Sequence, residues 1–321
     1  MADYDVFNGD ADGLCALVQL RLVEPRAATL VTGIKRDIEL LERVDARAGD
    51  RVTVLDVSME KNQAGLRRAL DAGASVLYVD HHVAGEIPEH AQLTAIIDES
   101  ASTCTSLLVD AHLGGAYHLW AITGAFGDNL QSSAHALAER HGVAEPVLRQ
   151  LDTLGVYLNY NGYGSHLDEL HFRPDELFEK LRPYSSPLEL IAAEPRVFDK
   201  LEQGYREDMA LAAALSPARV SESSAAYLLP DAAWCRRCSG VFGNALSNDN
   251  PRRAHAVITP RAGGEGGYAV SVRAPKSTPR GAAELCKQFP SGGGRAGAAG
   301  INALPEDQLE HFLAAFAAQY S

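Results

Sequence analysis

The chain has 321 residues, which is longer than a typical single domain, so we expect two domains. Its formal net charge of −13 argues against tight binding of long nucleic acid, because neutralisation of phosphate dominates that affinity. Neither a membrane helix nor a signal peptide is expected, since no apolar run approaches about 18 residues and the N-terminus lacks a basic region before an apolar stretch. The five cysteines form no disulfide framework, which favours the cytoplasm.

Strand-like apolar runs in the first 80 residues end in side chains that can bind metal. The carboxyl ends of parallel strands meet at one edge of an open sheet, where ligands gather. Acidic side chains concentrated there repel one another unless a cation is present. The runs and the polar residues after them are Tyr4–Phe7 with Asn8, Asp10 and Asp12, Val52–Leu55 with Asp56, and Ala74–Val79 with Asp80, His81 and His82.

The triplet Asp80, His81 and His82 has two interpretations when it is taken alone. An Asp can cap a helix and be followed by two exposed histidines. The nearby acids favour a metal site instead, and mixed carboxylate and imidazole ligands suit manganese, with zinc, cobalt or magnesium as alternatives. Two such ions form a common clamp for hydrolysis at phosphorus. Asp128 in Gly-Asp-Asn is a further candidate ligand, although this motif alone is more typical of a turn.

Strand and helix signals alternate over about residues 3–128, which predicts a parallel sheet covered by helices. A helical connector is predicted next, and strands and a final helix follow it. The segment 158–166 is rich in turn residues and aromatics; we interpret it as a surface loop, with stacking on a nucleobase as the less favoured alternative. The predicted elements are helices at Leu14–Val23, Ile38–Val44, Gln63–Ala72, Ala134–Arg140, Glu145–Leu158, Val197–Leu215 and Pro305–Gln319, and strands at Ala256–Thr259 and Tyr268–Arg273.

The C-terminal part is basic in an otherwise acidic chain. Ten basic and four acidic residues lie between Asp231 and Gly300, a net charge of +6. Within it, Gly292-Gly293-Gly294 precedes Arg295 and a small-residue helix start at Ala296–Ala299. Backbone N–H groups of such a turn can hold phosphate without obstruction by side chains. The pattern therefore favours a small polyanion as the substrate.

The motifs resemble those of the DHH phosphoesterase superfamily, which is named for the triplet found here at Asp80, His81 and His82. Asn8-x-Asp10-x-Asp12, Val54-Leu55-Asp56, the triplet and Gly127-Asp128 follow in the order of the family's N-terminal motifs. The run 291–300 resembles the glycine-rich signature of the DHH-associated C-terminal domain, and Ser271–Ala274 its substrate-facing strand. The resemblance covers nearly the whole chain. The superfamily includes nanoRNase and RecJ-like branches.

The resemblance implies an α/β fold with a parallel-sheet DHH domain, a helical connector and a smaller α/β substrate-binding domain. We place these at residues 1–186, 187–215 and 216–321. It also implies two manganese ions that share a hydroxide, which attacks phosphorus. The implied roles are metal ligation by Asn8, Asp10, Asp12, Asp56, His81 and Asp128, with Asp56 as the bridge, catalysis by Asp56, Asp80 and His82, and substrate binding by Arg273, Gly293, Gly294 and Arg295.

Two residues depart from the family pattern. Asn8 stands where the family usually has His or Asp, and its neutral carbonyl is a poorer ligand for manganese. We therefore expect the first metal, at Asp10 and Asp56, to bind more weakly than the second, or to need substrate phosphate to complete its shell. Arg295 stands where His is common; it can bind phosphate but cannot transfer a proton.

The expected function is manganese-dependent hydrolysis of small nucleotides, such as linear dinucleotides or short oligonucleotides. Asp12 directly before Gly13 resembles the RecJ-like branch, so a single-strand exonuclease is the alternative. A nucleotide-binding protein with reduced catalysis is a third interpretation, based on Asn8 and Arg295. We expect no stable complex with long nucleic acid and leave a homodimer open.

Overall fold

The computed structural model describes residues 1–262 and 266–321. The chain forms two compact units, each with its own apolar core. The first unit contains Met1–Gly162 and His166–Glu202, and the second contains Tyr163–Ser165 and Gln203–Ser321. Within the described ranges, no helix is both long and apolar enough to cross a membrane.

The first unit contains a five-stranded, fully parallel sheet, as the sequence predicted. The strand order is β2-β1-β3-β4-β5, so the chain reverses its direction of winding between β1 and β3. Ligand crevices in sheets of this kind open at such a switch point, outside the carboxyl ends of the strands. The strands are β1 (Asp3–Phe7), β2 (Thr29–Val31), β3 (Arg51–Leu55), β4 (Ser75–Asp80) and β5 (Leu93–Ile97).

Helices surround this sheet and pack closely at glycines. A Cβ added to Gly127 would lie 2.3 Å from Cβ of Ala11, and one added to Gly155 would lie 2.2 Å from the carbonyl oxygen of Thr123. The end of α4 can therefore approach the start of α1. The helices are α1 (Ala11–Val23), α2 (Gln63–Asp71), α3 (Thr105–His112), α4 (His118–Gly127), α5 (Gln131–Arg140), α6 (Glu145–Asn161), α7 (Pro174–Leu181), α8 (Pro187–Ala193) and α9 (Pro195–Ala213), the last of which continues into the second unit.

Two predictions for this unit are wrong in detail. The helix predicted at Ile38–Val44 is only a 3-10 turn at Leu40–Arg43. The side chain of Asn62 accepts from the Leu41 N–H at 3.0 Å and donates to the Ile38 carbonyl at 2.6 Å, and so replaces helical hydrogen bonds. The predicted loop 158–166 begins later, because α6 continues to Asn161.

The second unit contains a six-stranded mixed sheet in the order β10-β11-β9-β8-β7-β6. Its strands β7 and β8 are parallel, and the other pairs are antiparallel. The strands are β6 (Arg219–Val220), β7 (Ser224–Leu228), β8 (Ala254–Pro260), β9 (Tyr268–Arg273), β10 (Gly292–Gly294) and β11 (Ala298–Leu304). The helices are α10 (Ala233–Asp249), α11 (Ala282–Cys286) and α12 (Leu309–Gln319).

The glycine-rich run differs from its prediction. Gly292–Gly294 is the edge strand β10, paired with β11, and the helix predicted to start at Ala296–Ala299 is absent from this described segment. A tight turn joins the two strands instead: the Arg295 N–H donates to the Ala298 carbonyl at 2.8 Å, and the Ala298 N–H donates back at 3.2 Å. Antiparallel pairing gives the backbone N–H and C=O groups of the small residues on both sides hydrogen-bond partners. A single helical turn would leave several of these groups without partners.

Candidate metal centre

The polar residues after the strands of the parallel sheet meet at its carboxyl edge. Atoms able to bind metal in Asp56, His81 and His82 all lie within 4.8 Å of one another, and so do those of Asp12, His81 and Asp128. Asp56 follows β3, the two histidines follow β4, Asp12 lies in the first turn of α1 and Asp128 follows α4. The switch point therefore collects side chains that are far apart in the sequence.

His81 is oriented as a metal ligand. Its Nδ1 lies 2.9 Å from the carbonyl oxygen of Thr103, which can only accept, so Nδ1 carries the proton. The other ring nitrogen, Nε2, lies 3.3 Å from Asp56 Oδ1, 3.5 Å from Asp128 Oδ2 and 3.8 Å from Asp12 Oδ2. A lone pair that faces carboxylate oxygens needs a cation or a second proton between them, and an imidazole fixed through Nδ1 is typical of metal sites.

Asp12 is fully buried and is held by the start of α3. Its Oδ2 accepts from the Thr105 N–H at 2.7 Å, and its Oδ1 accepts from the Ser106 N–H at 2.7 Å and from the Ser106 hydroxyl. A carboxylate from α1 therefore caps the N-terminus of α3. These hydrogen bonds fix the carboxylate and leave a lone pair for a metal on Oδ2, the oxygen nearest to His81 Nε2.

Asp56 combines burial with an unusual backbone. Its φ is 58°, in the left-handed region that most side chains avoid, and its N–H donates to the Val79 carbonyl at 3.1 Å. Burial raises the pKa of Asp56 well above its usual range, and repulsion from Asp10, Asp12 and Asp128 adds to this. Burial and Asp128 likewise raise the pKa of Asp12. The acids therefore resist simultaneous ionisation until a cation joins them.

Asp10 is engaged through both oxygens. Its Oδ1 caps α1 by accepting from the N–H groups of Asp12 and Gly13 at 3.0 and 3.1 Å. Its Oδ2 forms an ion pair with the ammonium group of Lys35. Sequence reasoning missed Lys35, because a single lysine in the segment after β2 carries no pattern of its own. Asp10 thus already has a cationic partner, which also lies 3.4 Å from Asp128 Oδ1.

Asn8 contacts the same segment as Asp10. Its Nδ2 donates to the Lys35 carbonyl at 3.2 Å, while its Oδ1 is buried and has no hydrogen-bond partner among the described residues. An unpaired buried oxygen costs about 1–3 kcal/mol. This oxygen is therefore available as a neutral ligand, in keeping with the weak ligation expected of Asn8.

Asp80 contacts His82 and does not belong to either ligand group. Its Oδ1 lies 2.8 Å from His82 Nδ1, whose imidazole is 40% exposed and lies 3.8 Å from Asp56 Oδ1. Burial pushes the pKa of Asp80 upward, but the attraction and hydrogen bond of His82 outweigh burial and leave it below its usual range. Asp80 therefore orients His82 at the edge of the cluster.

The donors of the cluster fit a divalent cation. Buried carboxylates and an imidazole with a fixed tautomer are the mixture that suits manganese. Burial and mutual repulsion raise the pKa values of Asp12 and Asp56, so positive charge between them would stabilise their carboxylates. Asp12, Asp56, His81 and Asp128 are the residues that would hold the ion.

The predicted substrate-binding residues are all in the second unit, on β9, on β10 and in the turn after β10. Arg273 is at the end of β9 opposite Ala298, and its Nε donates to Asn244 Oδ1 at 2.8 Å. The register places it beside the turn that contains Arg295. A Cβ at Gly293 would meet no described atom within 4 Å, whereas Gly294 has a φ of 131° and lies against Ala299. The β10 edge is therefore open at Gly293.

Replacing Ser106 by alanine is expected to lower manganese affinity about 10-fold, because loss of a partner that orients a ligand typically costs 10–100-fold. Isothermal titration of the metal-free protein with Mn²⁺ measures this. The control is Ser185→Ala, since the Ser185 hydroxyl is exposed and bonds to Glu189. Unchanged affinity in Ser106→Ala would show that the hydroxyl does not orient Asp12.

Solved structures share this fold. Manganese-bound exonuclease RecJ has a TM-score of 0.61 at 18% identity, covering 99% of this chain and 90% of that one. RecJ from Thermus thermophilus with Mn²⁺ has a TM-score of 0.66 at 18% identity, but this chain spans only 51% of its length. The pGpG-specific phosphodiesterase PggH from Vibrio cholerae has a TM-score of 0.51 at 16% identity, with 99% of both chains covered.

These three proteins belong to the DHH superfamily, so the chain has the DHH fold, as its motifs predicted. No protein-family model matches the sequence, and no curated protein matches it either. The similarity to these proteins is therefore one of fold, and an activity has to be argued from the residues of the metal centre.

Proposed function

We propose that the protein is a manganese-dependent phosphoesterase that hydrolyses small nucleotides, with linear dinucleotides or short oligonucleotides as substrates. One observation carries the proposal: on the DHH fold, the lone pair of His81 Nε2 lies among the carboxylates of Asp12, Asp56 and Asp128. A metal cation stabilises this arrangement, and metal-assisted hydrolysis at phosphorus is the reaction that such a site supports.

A bound ion would supply Lewis acidity toward a phosphoryl oxygen and a nucleophile near neutral pH. Asp12, Asp56, His81 and Asp128 hold it in this proposal. His82 acts on the leaving oxygen: Asp80 orients its ring through Nδ1, and Nε2 is the nitrogen that exchanges a proton in this proposal. The exposure of the His82 ring makes that nitrogen reachable for a nucleotide.

The second unit supplies phosphate binding in this proposal. Arg273 ends β9 and pairs with Ala298 of β11, next to the turn at Arg295, and the open edge at Gly293 is on β10, on the other side of β11. A planar guanidinium forms paired hydrogen bonds with phosphate oxygens. The basic character of residues 231–300 is confined to a short stretch of an acidic chain, which favours a short polyanion over a long strand.

A RecJ-like single-strand exonuclease is the second candidate. It is favoured by the TM-scores of the two RecJ structures, which are higher than that of PggH. A long strand would require contacts with many phosphates, and the net charge of −13 opposes this.

A substrate panel separates the candidates. The purified protein with Mn²⁺ is offered pGpG, a cyclic dinucleotide, 3′-phosphoadenosine 5′-phosphate and an end-labelled single DNA strand. We expect mononucleotide release from pGpG and little digestion of the strand. Processive digestion of the strand would instead establish the exonuclease, and nucleotide binding without any hydrolysis would establish a binding protein.

A further inference from the structure

The ammonium group of Lys35 lies inside the acidic cluster. It forms an ion pair with Asp10 Oδ2, and its Nζ lies 2.9 Å from Asn159 Oδ1 and 3.4 Å from Asp128 Oδ1. An ammonium group has three protons, and three acceptors from different elements surround this one. Lys35 therefore behaves as a bound cation whose ligands are Asp10, Asn159 and Asp128.

The backbone around Lys35 is also fixed. The Lys35 N–H donates to the Gly162 carbonyl at 2.7 Å, and the Lys35 carbonyl accepts from Asn8 Nδ2 at 3.2 Å. The side chain is only 24% exposed. Two sequence-distant partners thus fix the backbone on both sides of the Lys35 Cα, from which the side chain reaches the cluster.

This position conflicts with a metal ion at Asp10. Asp10 uses Oδ1 to cap α1 and Oδ2 to bind Lys35, so a metal there would have to share an oxygen with an ammonium group. Two cations on one carboxylate oxygen repel each other strongly in a buried site, whereas Asp128 faces Lys35 with Oδ1 and His81 with Oδ2. Asn8 is neutral, and so it adds no negative charge that could offset this repulsion.

We propose that Lys35 takes the place of one of the two metal ions, so that the protein binds a single ion at Asp12, Asp56, His81 and Asp128. The ammonium group is then the second cation of the site, fixed in the fold and independent of metal supply. It can donate a hydrogen bond to a substrate phosphate but, unlike a metal ion, it cannot coordinate a water molecule or a phosphoryl oxygen. The inference rests on the proposed metal site and concerns how many ions that site holds.

The test measures metal stoichiometry without substrate. The full-length protein is equilibrated with excess Mn²⁺ and desalted, and manganese per chain is measured by inductively coupled plasma mass spectrometry. We expect one ion in the wild type, two in Lys35→Met, and one in Lys35→Arg, which keeps the charge. Electron paramagnetic resonance should show an exchange-coupled pair only in Lys35→Met. The control is Lys180→Met, an exposed position on α7, with one ion expected.

Several results would overturn the inference. Two ions in the wild type, with an exchange-coupled signal, would show that Lys35 displaces nothing. One ion in both the wild type and Lys35→Met, with circular dichroism showing a folded variant, would show that another feature limits the stoichiometry. Two ions in Lys35→Arg would show that the positive charge at this position does not limit the number of bound ions. No bound ion in the wild type would refute the proposed metal-dependent function itself. Two bound ions would refute only the inference about Lys35 and would leave the proposed function intact.

Discussion

Replacing Asp56 by asparagine is expected to lower kcat/KM on the order of 10³-fold or more at saturating Mn²⁺. Loss of a group that merely orients a ligand costs about 10–100-fold, and a direct ligand at the centre of the cluster should cost more. Asparagine has nearly the same shape and tolerates a φ of 58°, so the change removes charge and little else. Hydrolysis of pGpG measures the effect.

The matched control for this variant is Asp71→Asn, because Asp71 is exposed at the end of α2. We expect it to retain wild-type kcat/KM. Full activity in Asp56→Asn would mean that Asp56 is not a metal ligand and would refute the proposed mechanism.

The same variant has a predicted effect on stability without metal. A carboxyl whose pKa is raised in the folded state stabilises that state below its unfolded pKa, and this contribution is lost as the pH rises through the folded value. Metal-free Asp56→Asn should therefore lose less stability than the wild type between about pH 4 and pH 7. Thermal unfolding in chelator across this range compares the two proteins, and parallel curves would contradict the raised pKa.

Replacing Arg273 by alanine is expected to raise KM for pGpG about 10–100-fold and to leave manganese affinity unchanged. Hydrogen bonds to charged groups contribute about 1.5–3 kcal/mol, which corresponds to this range. The metal ligands are all in the first unit and Arg273 is in the second, so metal binding should be independent of it. Steady-state kinetics and isothermal titration with Mn²⁺ measure the two quantities.

Arg252→Ala is the control for Arg273→Ala, since Arg252 is an exposed arginine just before β8 in the same unit. Its KM should remain that of the wild type. If Arg273→Ala weakened metal and substrate binding equally, Arg273 would be a structural residue; its hydrogen bond to Asn244 would then be the contact that matters.

The sequence was sufficient to predict which residues meet at the carboxyl edge of the parallel sheet. Apolar runs that end in Asp or His define strands and their ends, and parallel strands bring such ends together. Asp12, Asp56 and His81 could therefore be assigned to one place, to which the family resemblance added Asp128, and the structure brings all four together. Their roles in binding and catalysis are still predictions.

The groups that hold these residues could not be predicted. Thr103, Ser106 and Lys35 act through contacts with residues distant in the sequence, which form only after tertiary packing. The helix predicted at Ile38–Val44 failed for the same reason, because Asn62 from a later segment takes its backbone hydrogen bonds. The glycine run is an edge strand because it pairs with β11, and the sequence of the run does not by itself indicate this pairing.

The left-handed backbone at Asp56 limits how this position can change in evolution. Glycine, asparagine and aspartate are the residues that readily adopt a φ of 58°, and aspartate is the only anion among them. A related chain that drifts at this position would therefore acquire glycine or asparagine, keep its fold and lose its ligand. Such a substitution would mark, in the sequence alone, the relatives that have exchanged hydrolysis for another role.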